Sequence, residues 1–365
     1  MNDWQRIWND DGSISCFSPV KAIAYTLSLL YRLIINSRNW LYDHQILKEV
    51  KLSCPVISVG NLTVGGTGKT PCVIMLAQML KEHGFKPAVL SRGYGSKSTE
   101  PVNIIADGSK VLLPGKLAGD EPLLIAQSLK GVSVITGPRR ILTGQTAINK
   151  FGADILICDD AFQHRQIFRD INIVLLDSQR PWGNGHILPR GSLREPWTEL
   201  RRASAIILTR SNESSESNNF MDKEAWLKEI PLFRSSHKAK DIVPGNYTKP
   251  LPLASLKGKK VCVFSGIAQP QSFRNTLLEA EAQIVSFDVF PDHYRYNRKE
   301  LDQIKNNFLE KGADFLITTE KDGMRLSEFK DILDTVYLLR MEMEILPDKS
   351  LLEDFILQKL ATVRQ

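Results

Sequence analysis

The stretch Val56–Thr70, VISVGNLTVGGTGKT, decides how this 365-residue chain folds. Its β-branched start, Val56–Val59, predicts a buried strand, and an apolar helical pattern from Val73 to Leu80 follows the glycines. Glycine has no Cβ, so the loop between them can take positive φ angles and bring backbone N–H groups close to phosphate oxygens at the positive end of the helix. The stretch therefore predicts a strand, a phosphate-binding loop and a helix.

The predicted nucleotide-binding residues are Thr63, Val64, Gly65, Gly66, Thr67, Gly68, Lys69 and Thr70. In such a loop the lysine contacts the β- and γ-phosphates and the next hydroxyl binds Mg²⁺, which gives these roles to Lys69 and Thr70. The first motif position, usually glycine, is Thr63 here. No strand is followed by the NKxD sequence of guanine-specific proteins, so ATP with Mg²⁺ is the predicted ligand. The alternative is a glycine-rich turn that binds no ligand.

The composition is that of an ordinary globular protein, with 42% apolar and 24% charged residues. A net charge of +6 favours anionic surfaces but is too dilute to predict nucleic-acid binding. Five cysteines without CxxC spacing, one of them Cys16, indicate free thiols in a reducing compartment. The polar, acidic start of the chain is not a cleavable signal. We therefore expect a protein on the cytosolic side, of undetermined oligomeric state.

The segment Lys21–Tyr42 has an apolar face at helical spacing, formed by Ile23, Leu27, Leu30, Tyr31 and Ile34. Its uncharged stretch, Ala22–Tyr31, is too short to span a bilayer. Arginine and tryptophan residues border the apolar face, as in helices that lie in a membrane interface. Two interpretations stay open from this segment alone: an interfacial helix, or an amphipathic helix that covers the core.

Strands and helices alternate along the rest of the chain. The predicted strands are Val56–Val59, Pro87–Ser91, Val132–Thr136, Ile155–Cys158, Ile171–Leu176, Ala205–Leu208, Val261–Phe264, Ile284–Val289, Phe315–Thr318 and Val336–Leu339. Continuous apolar strands separated by helices are typical of a parallel sheet with helices on both faces. The polar loop Ser211–Asn219 indicates a boundary or an insertion. The predicted fold is α/β: an N-terminal interfacial region (1–45), a P-loop lobe (46–210) and a smaller α/β lobe (211–345).

Two carboxylates, Asp159 and Asp160, follow the apolar run Ile155–Cys158. They are expected at the carboxyl edge of a buried strand, where ligands bind in parallel sheets. One of them can hold Mg²⁺ beside Thr70 in the manner of a Walker B acid. Gln163 lies in the polar run that continues this site. A solvated strand end is the alternative interpretation.

Other polar residues also lie at the predicted edges of elements. Asp120 begins a helix, where it is either an N-terminal cap or a general base, and spacing alone does not choose between these roles. Arg92 follows a strand, and the turn-rich segment Pro181–Pro196 resembles a substrate-facing loop. His293 closes a strand of the second lobe, although a lone histidine is more often structural than catalytic.

Seven motifs in order resemble the tetraacyldisaccharide 4′-kinase family, the lipid A 4′-kinases of Gram-negative bacteria. They are GNLTVGGTGKTP at Gly60–Pro71, SRGYG at Ser91–Gly95, GDEP at Gly119–Pro122, DDAFQHR at Asp159–Arg165, LPRGSLREP at Leu188–Pro196, DHY at Asp292–Tyr294 and TTEKD at Thr318–Asp322. The resemblance covers roughly residues 20–345, and Thr63 at the first loop position is normal for this family. It implies transfer of the γ-phosphate of ATP to the 4′-hydroxyl of tetraacyldisaccharide 1-phosphate, a lipid disaccharide, by a peripheral enzyme at the cytoplasmic face of the inner membrane.

The resemblance also implies site residues. It makes Asp120 the base for the 4′-hydroxyl, paired with His293 across a cleft between the lobes, with Lys69 among the catalytic residues. Asp159 and Asp160 resemble the family's metal-side carboxylates. The implied metal ligands are Thr70, Asp160, Gln163 and Glu195. The implied charge stabilisers are Arg92, Arg190 and Arg194, without a choice of which contacts phosphate.

The resemblance further implies a short two-stranded linker between the lobes, so that a last helix from about Asp348 can return to the P-loop lobe with residues 346–365. An anionic lipid substrate favours the interfacial interpretation of Lys21–Tyr42. Two other protein classes stay open. A membrane-associated switch ATPase usually carries KGGxGKT, with a lysine where this chain has Val64. The second class is a non-catalytic nucleotide-binding module. In such a module Asp120, Asp159, Asp160 and His293 would be unrelated structural residues.

Overall fold

The computed structural model describes residues 8, 19–113, 115–211, 221 and 224–363. It is a mixed α/β protein in which most strand pairs are parallel. Cys16, most of the N-terminal eighteen residues and the insertion after Ser211 lie outside the described residues, so the predictions about them are untested. No helix within these ranges has the length and apolar character needed to cross a bilayer.

The helices and strands fall into the following ranges. The α-helices are α1 (Pro19–Asp43), α2 (Lys69–Glu82), α3 (Gly115–Ala118), α4 (Asp120–Ser128), α5 (Arg140–Phe151), α6 (Pro270–Glu279), α7 (Arg298–Glu310), α8 (Glu320–Arg325), α9 (Lys330–Leu333) and α10 (Lys349–Val363). The strands are β1 (Val56–Asn61), β2 (Pro87–Ser91), β3 (Asn103–Asp107), β4 (Ser133–Thr136), β5 (Ile155–Asp159), β6 (Ile171–Asp177), β7 (Ala205–Thr209), β8 (Leu232–Pro244), β9 (Leu251–Pro252), β10 (Lys260–Ser265), β11 (Gln283–Val289), β12 (Phe315–Thr319) and β13 (Val336–Leu346). Each predicted strand is present, whereas β3, β8 and β9 have no counterpart among the predictions.

The chain forms two compact units. Unit 1 comprises residues 1–92, 137–237 and 343–365, and unit 2 comprises residues 93–136 and 238–342. This division differs from the predicted one because residues 93–136 join unit 2, where α4 packs against α8. The helix α10 belongs to unit 1. The roles of the units as two kinase lobes and the two-stranded linker stay predictions.

The strands of unit 1 form a parallel sheet with β1 near its middle. Its order is β2, β5, β1, β6, β7 and the start of β8. Every residue of β1 and β5 is buried, which explains their unbroken apolar sequences. In the register of this pair Val59 lies opposite Asp159, so both strands end at the same edge of the sheet. This edge positions the loop before α2 next to the residues that follow β5.

The strands of unit 2 form a second parallel group in the order β11, β10, β12 and β13. Its core is apolar, with Val261, Leu277 and Ile317 fully buried. The strand β12 passes directly into α8, and the Thr319 side chain caps that helix by accepting a hydrogen bond from the backbone N–H of Asp322. Antiparallel β3 and β4 also belong to this unit.

Candidate active site

The glycine loop between β1 and α2 has the backbone that its sequence predicts. Gly68, the N-cap of α2, has a φ of 82° and makes no side-chain cap hydrogen bond. A Cβ at Gly68 would lie 2.6 Å from His237 Nε2, so both the angle and the space require glycine. The first turn of α2 carries no acidic residue, which leaves its N–H groups available to an anion.

Asp160 lies beside this loop and is paired with two cations. Arg194 Nη1 is 2.9 Å from both of its carboxylate oxygens, and Lys69 Nζ is 3.7 Å from Oδ1. Burial raises the pKa of Asp160, but Lys69 and Arg194 outweigh it and hold that pKa below its ordinary value. Its φ of 49° is an angle that aspartate tolerates better than most residues. The site therefore holds an ionised carboxylate next to the loop lysine.

Two further predicted residues lie at the same edge. The buried Asp159 carboxylate accepts a hydrogen bond from Ser91 Oγ at 3.2 Å. Gln163 Nε2 donates to the carbonyl oxygen of Asn61 at 2.9 Å, while Gln163 Oε1 and Asn61 Oδ1 are buried without a hydrogen-bond partner. Buried polar oxygens normally have partners, so these two atoms indicate a place for a cation or a hydrogen-bond donor. No group of three histidine, cysteine or acidic residues in the described ranges could bind a metal by itself.

Glu195 has a different environment from the one predicted for a metal ligand. Its side chain is fully buried, and its two oxygens form separate ion pairs with Arg38 of α1 and with Arg202. Glu195 would therefore have to release an arginine before it could bind Mg²⁺. Arg92 is exposed at the end of β2, and the backbone N–H of Arg190 donates to Ser28 Oγ of α1.

Asp120 and His293 lie together in unit 2, whereas they are predicted on different lobes from the sequence. Asp120 is the first residue of α4 and Gly119 is its N-cap, so the Asp120 side chain is not a helix cap. Asp120 Oδ2 accepts a hydrogen bond from Arg325 Nε at 3.0 Å, and its Oδ1 is buried without a hydrogen-bond partner, 3.4 Å from Arg295 Nη1. The His293 side chain is 67% exposed, which excludes a core histidine.

Arg325 connects these two residues and is not among the site residues predicted from the sequence. Its Nη2 lies 3.2 Å from His293 Nδ1, and its Nη1 forms an ion pair of 2.8 Å with the fully buried Asp322. Asp322 and Arg325 are three positions apart in α8, of which Arg325 is the last residue, and this spacing places them on the same side of the helix. That spacing after the TTEKD motif is the signal in the sequence that could have revealed the pair.

A family model, two relatives and one solved structure place this chain in the same family. A family model described as tetraacyldisaccharide-1-P 4′-kinase matches residues 20–361. A tetraacyldisaccharide 4′-kinase of Syntrophus aciditrophicus (strain SB) is 45% identical over 355 residues, which cover 95% of each chain. One of Anaeromyxobacter sp. (strain Fw109-5) is 40% identical and covers 94% of this chain and 93% of its own. A crystal structure of LpxK from Aquifex aeolicus in complex with ATP superposes with a TM-score of 0.78 at 33% identity, covering 93% of this chain and 99% of that one.

Proposed function

The chain belongs to the tetraacyldisaccharide 4′-kinase family, and from that membership we propose how its residues divide the work of phosphoryl transfer. Its activity is phosphorylation of the 4′-hydroxyl of tetraacyldisaccharide 1-phosphate in lipid A biosynthesis, with an alcohol as the acceptor. Such a transfer needs little covalent chemistry from the protein. It requires bound and neutralised phosphates, an aligned hydroxyl and an acceptor for the hydroxyl proton.

The phosphate donor in this proposal is ATP, which is also the ligand in the Aquifex LpxK structure. The loop 63–70 binds its phosphates through backbone N–H groups at the start of α2, and Lys69 neutralises the β- and γ-phosphates. Lys69 already contacts the Asp160 carboxylate at 3.7 Å. An anionic phosphate competes for the same ammonium group, so the lysine can exchange one anionic partner for another.

The residues around the loop fit a magnesium ion. Thr70, Asp160 and Gln163 supply a hydroxyl, a carboxylate and an amide oxygen, which are ligands that Mg²⁺ accepts. Gln163 Oε1 is buried without a hydrogen-bond partner, as expected of an oxygen that binds a cation. When bound, the ion would neutralise charge on the transferred phosphoryl group. Glu195 joins this set only if Arg38 or Arg202 releases it, and Asp159 supports the site from the end of β5.

The proton acceptor is Asp120, with His293 beside it. One Asp120 oxygen is held by Arg325 at 3.0 Å, and the other, Oδ1, is buried, has no hydrogen-bond partner and lies 3.4 Å from Arg295 Nη1. A carboxylate held by a hydrogen bond at one oxygen and without one at the other is suited to accept a hydroxyl proton as the O–P bond forms. The lack of a hydrogen-bond partner at Oδ1 is the observation that carries the assignment. The proton moves from the 4′-hydroxyl to Oδ1, and the γ-phosphoryl group moves from ATP to the 4′-oxygen, so that ADP leaves.

The function is tested by following labelled phosphate. The full-length chain is incubated with γ-labelled ATP, Mg²⁺ and detergent-dispersed tetraacyldisaccharide 1-phosphate. We expect label in the lipid and little ATP turnover without the lipid. Comparable ATP hydrolysis with and without lipid would instead indicate a switch ATPase, and an absence of turnover in both reactions would indicate a binding module.

The helix α1 supports peripheral attachment to the cytoplasmic face of the inner membrane. Four of its five buried residues are small or polar, namely Lys21, Ala24, Ser28 and Asn39, and the fifth is Ile35. Its outward side is apolar: Ile23, Leu27, Leu30 and Ile34 are 62%, 47%, 56% and 65% exposed. This arrangement reverses that of a helix covering a core, and a contiguous exposed apolar surface is typical of an interaction site. We propose that this apolar side binds the surface of an anionic membrane, because the lipid substrate lies in the same membrane.

Replacing Ile23, Leu27, Leu30 and Ile34 by serine is expected to move the protein from the vesicle-bound to the soluble fraction, with little change in ATP affinity. Each buried side chain of this kind is worth about 1.5–3 kcal/mol, so vesicle affinity should fall by more than about 100-fold. The helix should stay docked, because Tyr31 Oη still donates to the Arg194 carbonyl oxygen at 3.1 Å. Sedimentation with vesicles of anionic phospholipid measures the result.

The matched control replaces Leu278 and Leu309 by serine. These leucines are 43% and 62% exposed and belong to unit 2. The control should sediment like the unaltered protein. If the α1 variant also sedimented unchanged in high salt, the interfacial role of α1 would be excluded.

A further inference from the structure

We propose that Arg325 is a positioning residue of the kinase reaction, which fixes the Asp120 carboxylate and holds His293 in its Nε2–H tautomer. The inference rests on the proposed role of Asp120 as proton acceptor. It also assigns a role to the TTEKD motif: its aspartate, Asp322, forms the ion pair that holds Arg325 in place. Arg325 itself does not contact the reacting atoms in this assignment.

The donors of the Arg325 guanidinium contact acceptors on three sides. Nε donates to Asp120 Oδ2 at 3.0 Å, and Nη1 donates to the Gly266 carbonyl oxygen and to Asp322 Oδ1, each at 2.8 Å. Nη2 lies 3.2 Å from His293 Nδ1. The side chain is only 1% exposed, so little of this hydrogen bonding is shared with water. The planar fork therefore sets the directions in which Asp120 and His293 are held.

Asp322 keeps the guanidinium in place. Its Oδ1 accepts from Tyr296 Oη at 3.0 Å, and its Oδ2 accepts from the Gly266 N–H at 3.1 Å and from Thr319 Oγ1 at 2.7 Å. Burial and the Asp322 charge both raise the pKa of Tyr296, so its hydroxyl stays a donor. Moving Arg325 away would leave a buried carboxylate without its counter-charge, which is strongly unfavourable. The arrangement therefore resists rotation of Arg325.

The contact with Arg325 also determines which ring nitrogen of His293 carries the proton. A guanidinium carries donors and no acceptor, so His293 Nδ1 must accept and the ring proton must lie on Nε2. That Nε2 is 4.0 Å from Asp292 Oδ1. The His293 backbone has a φ of 60°, and its N–H donates to the Gly266 carbonyl oxygen at 3.1 Å, the oxygen that Arg325 also contacts. Arg325 thus touches both the ring and the carbonyl group that holds its backbone.

The competing explanation is that Arg325 only stabilises unit 2. In that case its replacement would lower stability and leave the turnover of the folded fraction unchanged. Lysine separates the two explanations, because it keeps the positive charge but cannot form the fork that contacts Asp120, His293 and Asp322 together. A displacement of about 1 Å in a positioned group can cost about 100-fold in rate.

The first test compares Arg325→Lys with Arg298→Lys as a matched control. Arg298 also belongs to unit 2 and binds Asp331 and Asp302 through its fork, but it is exposed. We expect kcat of Arg325→Lys, per folded molecule, to fall about 100-fold with KM for ATP little changed. Arg298→Lys should keep normal values of both. An unchanged kcat in folded Arg325→Lys would overturn the positioning role.

The second test needs no change at Arg325 and so holds even if Arg325→Lys fails to fold. In ¹⁵N-histidine NMR of the full chain, the His293 signals are identified by their absence from His293→Gln. We expect an unprotonated Nδ1 and a protonated Nε2, and the opposite tautomer would overturn the inference. Asp120→Asn is assayed alongside. Full turnover in Asp120→Asn would refute the proposed base, whereas loss there with normal Arg325→Lys would refute only the positioning role.

Discussion

Lys69→Ala is expected to lose phosphate transfer by about 10²–10³-fold at saturating ATP while the protein stays folded. A preorganised cation or donor aimed at charge that develops in the transition state typically contributes this much. Lys69 is the first residue of α2 and lies beside the glycine loop, 3.7 Å from Asp160. Single-turnover transfer of labelled phosphate to the lipid measures the loss.

The fold should survive this substitution because Asp160 keeps its shorter ion pair with Arg194, at 2.9 Å. The matched control is Lys81→Ala, which removes an exposed lysine from the last turn of the same helix and should leave transfer normal. Circular dichroism of both variants checks the folded fraction. Normal transfer at saturating ATP in a folded Lys69→Ala would exclude the assignment of loop 63–70 to the nucleotide.

The elements around this lysine could be predicted because their signals are local. The strands β1 and β5 are buried on both faces, and such strands have continuous apolar sequences. Gly65 and Gly68 of the loop have positive φ angles, and the approach of His237 leaves no space for a Cβ at Gly68. The proximity of Lys69 to Asp160 also follows, because parallel neighbouring strands end at one edge of the sheet.

The grouping of residues 93–136 could not be predicted, because it depends on contacts distant in sequence. The strand β3 is only partly buried and pairs antiparallel with β4, so neither its hydrophobicity nor the simple alternation of strands and helices reveals it. The strand β8 is half-buried over most of its length, and its mixed sequence lacks a clear apolar run. Such strands are defined by their partners more than by their own residues.

The charge partners of the site were the least predictable feature. Arg38 lies 157 positions before Glu195, and Asp120 lies 205 positions before Arg325. A buried carboxylate such as Glu195 can be a metal ligand or the partner of an arginine, and its own sequence neighbourhood is the same in both cases. Only the fold shows that two arginines already occupy its oxygens.

Asp120→Ala and His293→Ala are each expected to lower single-turnover transfer by about 10²–10⁴-fold, with ATP binding nearly unchanged. This is the usual contribution of a positioned general base. The loss is expected at both positions because both side chains contact the same guanidinium, Arg325, at 3.0 and 3.2 Å. Asp322 and the Gly266 carbonyl oxygen keep Arg325 in place, so removing either the Asp120 or the His293 side chain leaves the other without the group held beside it.

The matched control for Asp120 is Glu121→Ala, which removes a neighbouring carboxylate in the first turn of α4 and has the same effect on the helix dipole. For His293 it is His83→Ala, which removes another exposed histidine ring. Both controls should retain normal transfer. Melting temperatures of all variants separate a loss of folded protein from a loss of rate.

The double variant decides whether the two residues act as one unit. If Asp120 accepts the proton and His293 contributes by orienting it and sharing its charge, then removing His293 after Asp120 costs little more. The double variant should therefore be hardly slower than the slower single variant, as for other residues that work together. If the two residues contributed independently, the rate losses of the single variants would multiply, and the double variant would be slower by about 10⁴–10⁸-fold. Rates that multiply in this way, measured on folded protein, would show that Asp120 and His293 act separately and that their common contact with Arg325 has no catalytic consequence.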